Sequence, residues 1–174
     1  MNRLICLSKR SISPPQSSLS RTRKEMEVAN AARLIGVLLG IEGTHALDGD
    51  REAIGPFGQR DVRYVGLLHV CASRLGFPAY EYGRQDHQGL TSWGKGLIEQ
   101  CTAHRVLIDL AHVNSKGFEE TYAPSIFPPI VSHTGAHLVF RHWRNIEDDQ
   151  IRATAQKGGA SAFSLPPNIS EEDG

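Results

Sequence analysis

An α/β fold of parallel β/α units curled into a barrel is what this 174-residue sequence predicts, and three observations predict it. Short apolar runs alternate with helical stretches at regular intervals, the pattern of strand and helix units around a parallel sheet. Four of these runs finish on an acid or a histidine: VLLGIEG at Glu42, VRYVGLLHV at His69, RVLIDLAHV at His112 and PPIVSHTG at His133. No glycine-rich phosphate fingerprint favours an open doubly wound sheet instead. A parallel sheet sets every carboxyl end on one side, and four such side chains converge only where the sheet closes or curls strongly.

The elements follow in order. From Glu25, EMEVANAARLIG has helical apolar spacing and leads into the first strand, VLLGIEG. REAIGPFGQRD reads as a connection broken by Gly55, Pro56 and Gly58, and VRYVGLLHV is the second strand. A loop rich in Gly, Tyr and Pro precedes TSWGKGLIEQCTAH, a helix with Thr91 as its N-cap. RVLIDLAHV is the third strand; simple alternation there sets Asp109 on the face opposite His112, in a buried hydrogen-bonding role. SKGFEETYAPSIF is helical, PPIVSHTG is the fourth strand, and NIEDDQIRATAQKGG is a helix with acids in its first turn and glycines after its end. GASAFSLPP supplies a fifth strand. Residues 1–24 are basic, serine-rich and free of acid, and read as a disordered or transit-peptide-like leader or a misassigned translation start. Residues 25–163 form the barrel domain, and 164–174 a polar tail.

Charge narrows the partners. Lysine plus arginine equals aspartate plus glutamate, 19 against 19, so no global field draws the chain to nucleic acid or an acidic membrane surface. No run approaches the roughly 20 apolar residues of a membrane span, so a soluble protein is expected. Cys6, Cys71 and Cys101 form no CxxC pair, which argues against a disulfide scaffold and a cysteine-built zinc site and for a reducing, cytoplasmic compartment. None of the three has a base or ligand nearby in sequence, which sets a thiol mechanism aside. A carboxylate and two imidazoles from separate strands, by contrast, suit zinc or a similar divalent ion, and three protein ligands leave a position open for water. Hydrolysis is the reaction class such a site suggests.

The motifs GVLLGIEGTHAL, VRYVGLLHV, GLTSWGKGLIEQ, VLIDLAHVNSKGF, PPIVSHTGA and HWRNIEDDQIRATAQKGG, in this order, resemble the membrane dipeptidase (renal dipeptidase) family of zinc peptidases. The resemblance runs from about Glu25 to about Phe163. It implies a (β/α)8 barrel that hydrolyses dipeptides with two zinc ions. By the same resemblance Glu42 is the carboxylate bridging both ions, His112 and His133 are ligands of one ion, His69 holds the substrate and its tetrahedral intermediate, and Arg144 receives the substrate carboxylate. The family's HxD motif, which completes the other zinc site, occurs nowhere in this chain. Nor is the family's C-terminal catalytic aspartate matched. The expectation is therefore a partial barrel lacking the first two and the last strands, with at most one complete zinc site. The stretch VCASRLGFPAYEYG also departs from the asparagine-rich segment of the renal-type branch, which leaves substrate preference open. Two other readings stand beside a dipeptidase: a non-catalytic remnant that binds one metal ion, a second copy or a complementing barrel fragment, and a different metal-dependent amidohydrolase acting on N-acyl amino acids. Of the remaining residues, His45 is read as support near Glu42, and His104 as lying at the opposite end of the barrel. His87, His137 and His142 are read as loop or surface residues, and Trp93 and Trp143 as packing.

Overall fold

A computed structural model describes residues 17–79, 85 and 87–164. The first sixteen residues of the expected leader, Cys6 among them, and the tail from 165 onward lie outside the described residues. Folded chain begins ahead of Glu25. A strand β1 (Ser17–Leu19), a helix α1 (Arg23–Ala31) and a strand β2 (Ile35–Val37) form a small parallel unit in which Ser17 pairs with Ile35. Thr22 starts α1 because its hydroxyl accepts the Glu25 N–H at 3.2 Å, and Arg33, in the left-handed region, ends it. Within the stretch read as a leader, residues 17–24 thus contribute β1, the Thr22 cap and the start of α1, which buries Ala29.

The main sheet holds five parallel strands in chain order: β3 (Leu39–Glu42), β4 (Val62–Gly66), β5 (Leu107–Asp109), β6 (Ile130–Thr134) and β7 (Ala160–Phe163). Between them run α2 (Ile54–Gln59), α3 (Ser92–His104), α4 (Ser115–Tyr122) and α5 (Asp148–Gln156). This is an arc of a β/α barrel. The connection expected at REAIGPFGQRD contains α2, because Pro56 falls in the first turn, where its missing N–H deprives the helix of no bond. Gly55 is required there: a Cβ would come within 2.9 Å of the His104 ring.

The core lies between the sheet and its helices, with Ile54 from α2, Val65 from β4, Leu97, Ile98 and Cys101 from α3, Phe118 from α4 and Val131 from β6 in one cluster. α3 presents Gly94, Leu97, Ile98 and Cys101 inward at the three-to-four-residue spacing of one helical face. Thr91 caps it as expected, accepting the Gly94 N–H at 3.1 Å. Trp93 is packing with a handle, its indole donating to the Gly49 carbonyl at 3.1 Å. No helix among the described residues is long and apolar enough to cross a membrane.

The strands are shorter than their apolar runs. Leu67 and Leu68 continue inward after β4 stops, and β5 stops at Asp109. His69 and His112 consequently lie in the loops that follow their strands. Leu97, fully buried at the centre of α3, measures how much this core contributes. Leu97→Ala is expected to cost about 2–5 kcal/mol, read as a lower urea midpoint with an unchanged slope.

Candidate functional site

Four of the five residues singled out by the sequence come from the carboxyl ends of β3, β4, β5 and β6, and the fifth from the loop after β6. Glu42 closes β3. Gly43 then turns the chain at φ 85, its N–H donating to the Gly66 carbonyl at 3.0 Å. A Cβ at this position would fall 2.7 Å from the His45 ring and 3.3 Å from His69 Cβ, so only glycine fits the turn. His45 itself is exposed against Gly43 and does not support Glu42.

His112 sits in a turn, not on a strand. It adopts φ 68, with the Val113 N–H reaching back to the Leu110 carbonyl at 3.3 Å and the Ala79 N–H donating to the His112 carbonyl at 2.8 Å. Alternation from Asp109 therefore does not apply to it. Its side chain is 9% exposed. Nε2 lies 3.2 Å from Glu42 Oε1 and 3.0 Å from His133 Nε2, and His133 Nε2 lies 3.3 Å from the same Glu42 oxygen. In a flat sheet, β3 and β6 would stand about 14 Å apart, three strand spacings. Side chains that meet across that gap require the sheet to curl as a barrel does.

Donors on a tetrahedral zinc at about 2.0–2.1 Å are separated by about 3.3 Å. The three distances among Glu42, His112 and His133 match that edge. His69 Nε2 stands further out, 3.7 Å from Glu42 Oε1, with its ring edge-on to His112 at 4.7 Å between centroids. By the spread of ligand atoms, Glu42, His69 and His112 also form a group within 4.8 Å of one another. By distance Glu42, His112 and His133 form the inner set; His69 and His133 are similarly exposed, at 38% and 33% of their side chains.

Electrostatics points the same way. Burial, followed by the nearby Arg144 charge, pushes the His112 imidazole down to about 2, and the same two causes lower His133 against the pull of Asp109 and Glu42. His112 is neutral across the physiological range. A carboxylate oxygen and neutral imidazole nitrogens crowded this closely present lone pairs to one another, which is stable only with a proton or cation among them. The chemistry and spacing of the set thus fit a divalent ion.

Arg144 reaches in from the loop between β6 and α5. One guanidinium nitrogen, Nη2, donates to the His133 carbonyl at 2.9 Å and lies 3.3 Å from His112 Nε2. The other, Nη1, is buried with no acceptor among the described residues. Burial lowers its pKa, opposed by Asp109 and Glu42, yet a guanidinium keeps its charge. A small cavity of about 70 Å³ beside it is lined by His112, Asn114, His137, His142 and Trp143 among others. His137 and His142, read as loop or surface residues, lie in the loop between β6 and α5 and line this cavity. Cys101 is buried and its thiol is pushed up to about 12, as befits an inert packing residue.

Two residues that the sequence did not connect with the site lie directly behind it. Asp109 is 2% exposed and accepts from the Ala111 and Ser132 backbone N–H groups and from the Ser132 hydroxyl, which is 2.8 Å from His133 Nδ1. The only signal in sequence was a hydroxyl immediately before a strand-end histidine.

The model of the membrane dipeptidase family (peptidase family M19) matches residues 6–171. An uncharacterized protein of the PQQ-III 3' region from Acinetobacter calcoaceticus is 25% identical over 179 residues, covering 98% of this chain and 57% of the relative. Dipeptidase 3 of Rattus norvegicus is 29% identical over 143 residues, 80% of this chain and 29% of the relative. A solved metallopeptidase from Rhodobacter sphaeroides, liganded with a phosphinate mimic of the dipeptide L-Ala-D-Ala, superposes with a TM-score of 0.79 at 25% identity, covering 91% of this chain and 46% of that one. The chain thus spans between under a third and just over half of the length of these relatives.

If the inner set holds an ion, zinc at one hundred times its dissociation constant is expected to stabilise the fold by about 2.7 kcal/mol. The check is thermal melting with and without zinc, and His112→Ala is expected to abolish the shift.

Proposed function

This chain belongs to the membrane dipeptidase family, and on that premise we propose that it carries the part of a zinc dipeptidase site that holds one ion and grips the substrate's carboxylate. The observation that carries the reading is the meeting of Glu42, His112 and His133 at 3.0–3.3 Å beside an arginine whose buried Nη1 has no acceptor among the described residues. Glu42, His112 and His133 would hold the ion, and Glu42 would also share a second one. When bound, the ion supplies Lewis acidity to the scissile carbonyl and to water.

The chain's own residues do the rest. Arg144 is already anchored through Nη2 to the His133 carbonyl, so its orphaned Nη1 is a fixed donor that a terminal carboxylate would satisfy. Fixing that carboxylate sets how far the scissile bond can reach toward Glu42 and the histidines, which converts binding energy into orientation. His69, half exposed on the outer side of the cluster, is placed to donate Nε2–H to an oxygen that gains charge as the carbonyl becomes tetrahedral. Burial and the nearby Arg144 charge disfavour a second proton on His112, so its ring does not compete as a cation with the ion.

A second reading has one observation in its favour: no HxD occurs in the chain, so the complement of the second ion is absent from these residues. On that reading the protein binds one ion without hydrolysis, alone or with a second barrel segment. Hydrolysis of dipeptides, with N-acyl amino acids and C-terminally amidated dipeptides as comparison substrates, separates the alternatives. Dipeptides are expected to be cleaved and their amides not. Arg144→Ala is expected to raise KM by roughly 10- to 100-fold, about the loss of one charge-assisted contact, with zinc content unchanged. Stoichiometric zinc without turnover of any substrate would establish the non-hydrolytic reading.

A further inference from the structure

We infer that Asp109, acting through the Ser132 hydroxyl, fixes the tautomer of His133 so that its Nε2 faces the site as a lone pair. The argument is a count of hydrogens. As a carboxylate Asp109 only accepts, and it takes the backbone N–H of Ala111 at 3.0 Å, that of Ser132 at 2.9 Å and the one hydroxyl hydrogen of Ser132. With that hydrogen committed, the Ser132 oxygen can only accept from His133 Nδ1, 2.8 Å away. The ring proton must then sit on Nδ1. Nε2 is left bare, 3.3 Å from Glu42 Oε1 and 3.0 Å from His112 Nε2.

This outcome runs against the local preference. A histidine whose Nε2 lies beside a carboxylate gains most by protonating Nε2 and donating to it, and Glu42 is such a carboxylate. Without the relay, His133 would turn its N–H toward Glu42 and the lone pair away. Asp109 and Ser132 reverse this, from a buried position next to the site on β5 and β6. Metal-ligating histidines commonly donate their second nitrogen to a carboxylate or carbonyl; here a serine stands between ring and carboxylate. The neighbouring ring has no such support among the described residues, where His112 Nδ1 is buried without a partner. Asp109 and Ser132 are therefore positioning residues, and the asymmetry assigns His133 as the nitrogen whose lone pair is set in advance.

The inference rests on the reading of His133 as a metal donor, and its test separates the two. Histidine-labelled, metal-free protein is examined by long-range nitrogen–proton NMR, which reports the tautomer of each ring. In the native chain His133 is expected as the Nδ1–H form. In Ser132→Ala it is expected to shift to the Nε2–H form with the fold retained by circular dichroism, and in Ser132→Thr, which keeps the hydroxyl, to return to Nδ1–H. Zinc affinity, measured calorimetrically on the same three proteins, is expected to fall roughly 10- to 100-fold in the alanine variant and to recover in the threonine variant. An Nε2–H form in the native protein, or no change of tautomer in Ser132→Ala, overturns the relay whatever the zinc result. The expected tautomers with no zinc binding by the native chain would sustain the relay and overturn the metal reading instead.

Discussion

Three lone-pair donors held within 3.3 Å of one another form the constraint on which the rest of this structure turns. Glu42, His112 and His133 lie on or just after strands that a flat sheet would hold too far apart, so their contact demands curvature. Such a cluster needs a proton or a cation among its donors. The fold meets part of this need with Arg144, whose guanidinium lies within hydrogen-bonding reach of His112 Nε2 and is bonded to the His133 carbonyl. A positive group is thus already present at the place where the donors most need one.

Asp109 joins the sheet to this cluster. It ends β5 by accepting the Ala111 N–H, which frees the chain to enter the turn that carries His112 at positive φ. The same carboxylate accepts from Ser132 on the next strand and so reaches His133. One buried acid therefore helps set where one imidazole sits and how another is protonated. Its burial is tolerable because three donors satisfy it.

Gly43 and Gly66 show how closely backbone and site are coupled. The two residues meet at the ends of β3 and β4 through a 3.0 Å hydrogen bond, which lets Glu42 and the chain leading to His69 emerge side by side. Tyr64 lies across Gly40 one turn of the pleat earlier, so closely that a Cβ there would fall 2.0 Å from its ring. Gly40 in β3 is what leaves room for the Tyr64 ring of the neighbouring strand.

The sequence by itself determined the class of fold and the identity of the polar strand-end residues. Apolar runs alternating with helical stretches report burial on both faces of a parallel sheet, and Glu42, His112 and His133 stood out because polar groups seldom follow such runs without a reason. It did not determine where the strands end, because Leu67, Leu68 and Leu110 remain buried after the ladder stops and leave the apolar pattern unbroken. The first described strand was equally hidden: Ser17–Leu19 is polar enough to read as leader, yet it pairs with Ile35–Val37. Only the tertiary structure decided that the four strand ends meet, that His112 turns through the left-handed region, and that Asp109 lies behind His133. Those facts depend on sheet curvature and on contacts between residues far apart in the chain, such as the 23 positions separating Asp109 from Ser132, and no local pattern encodes them.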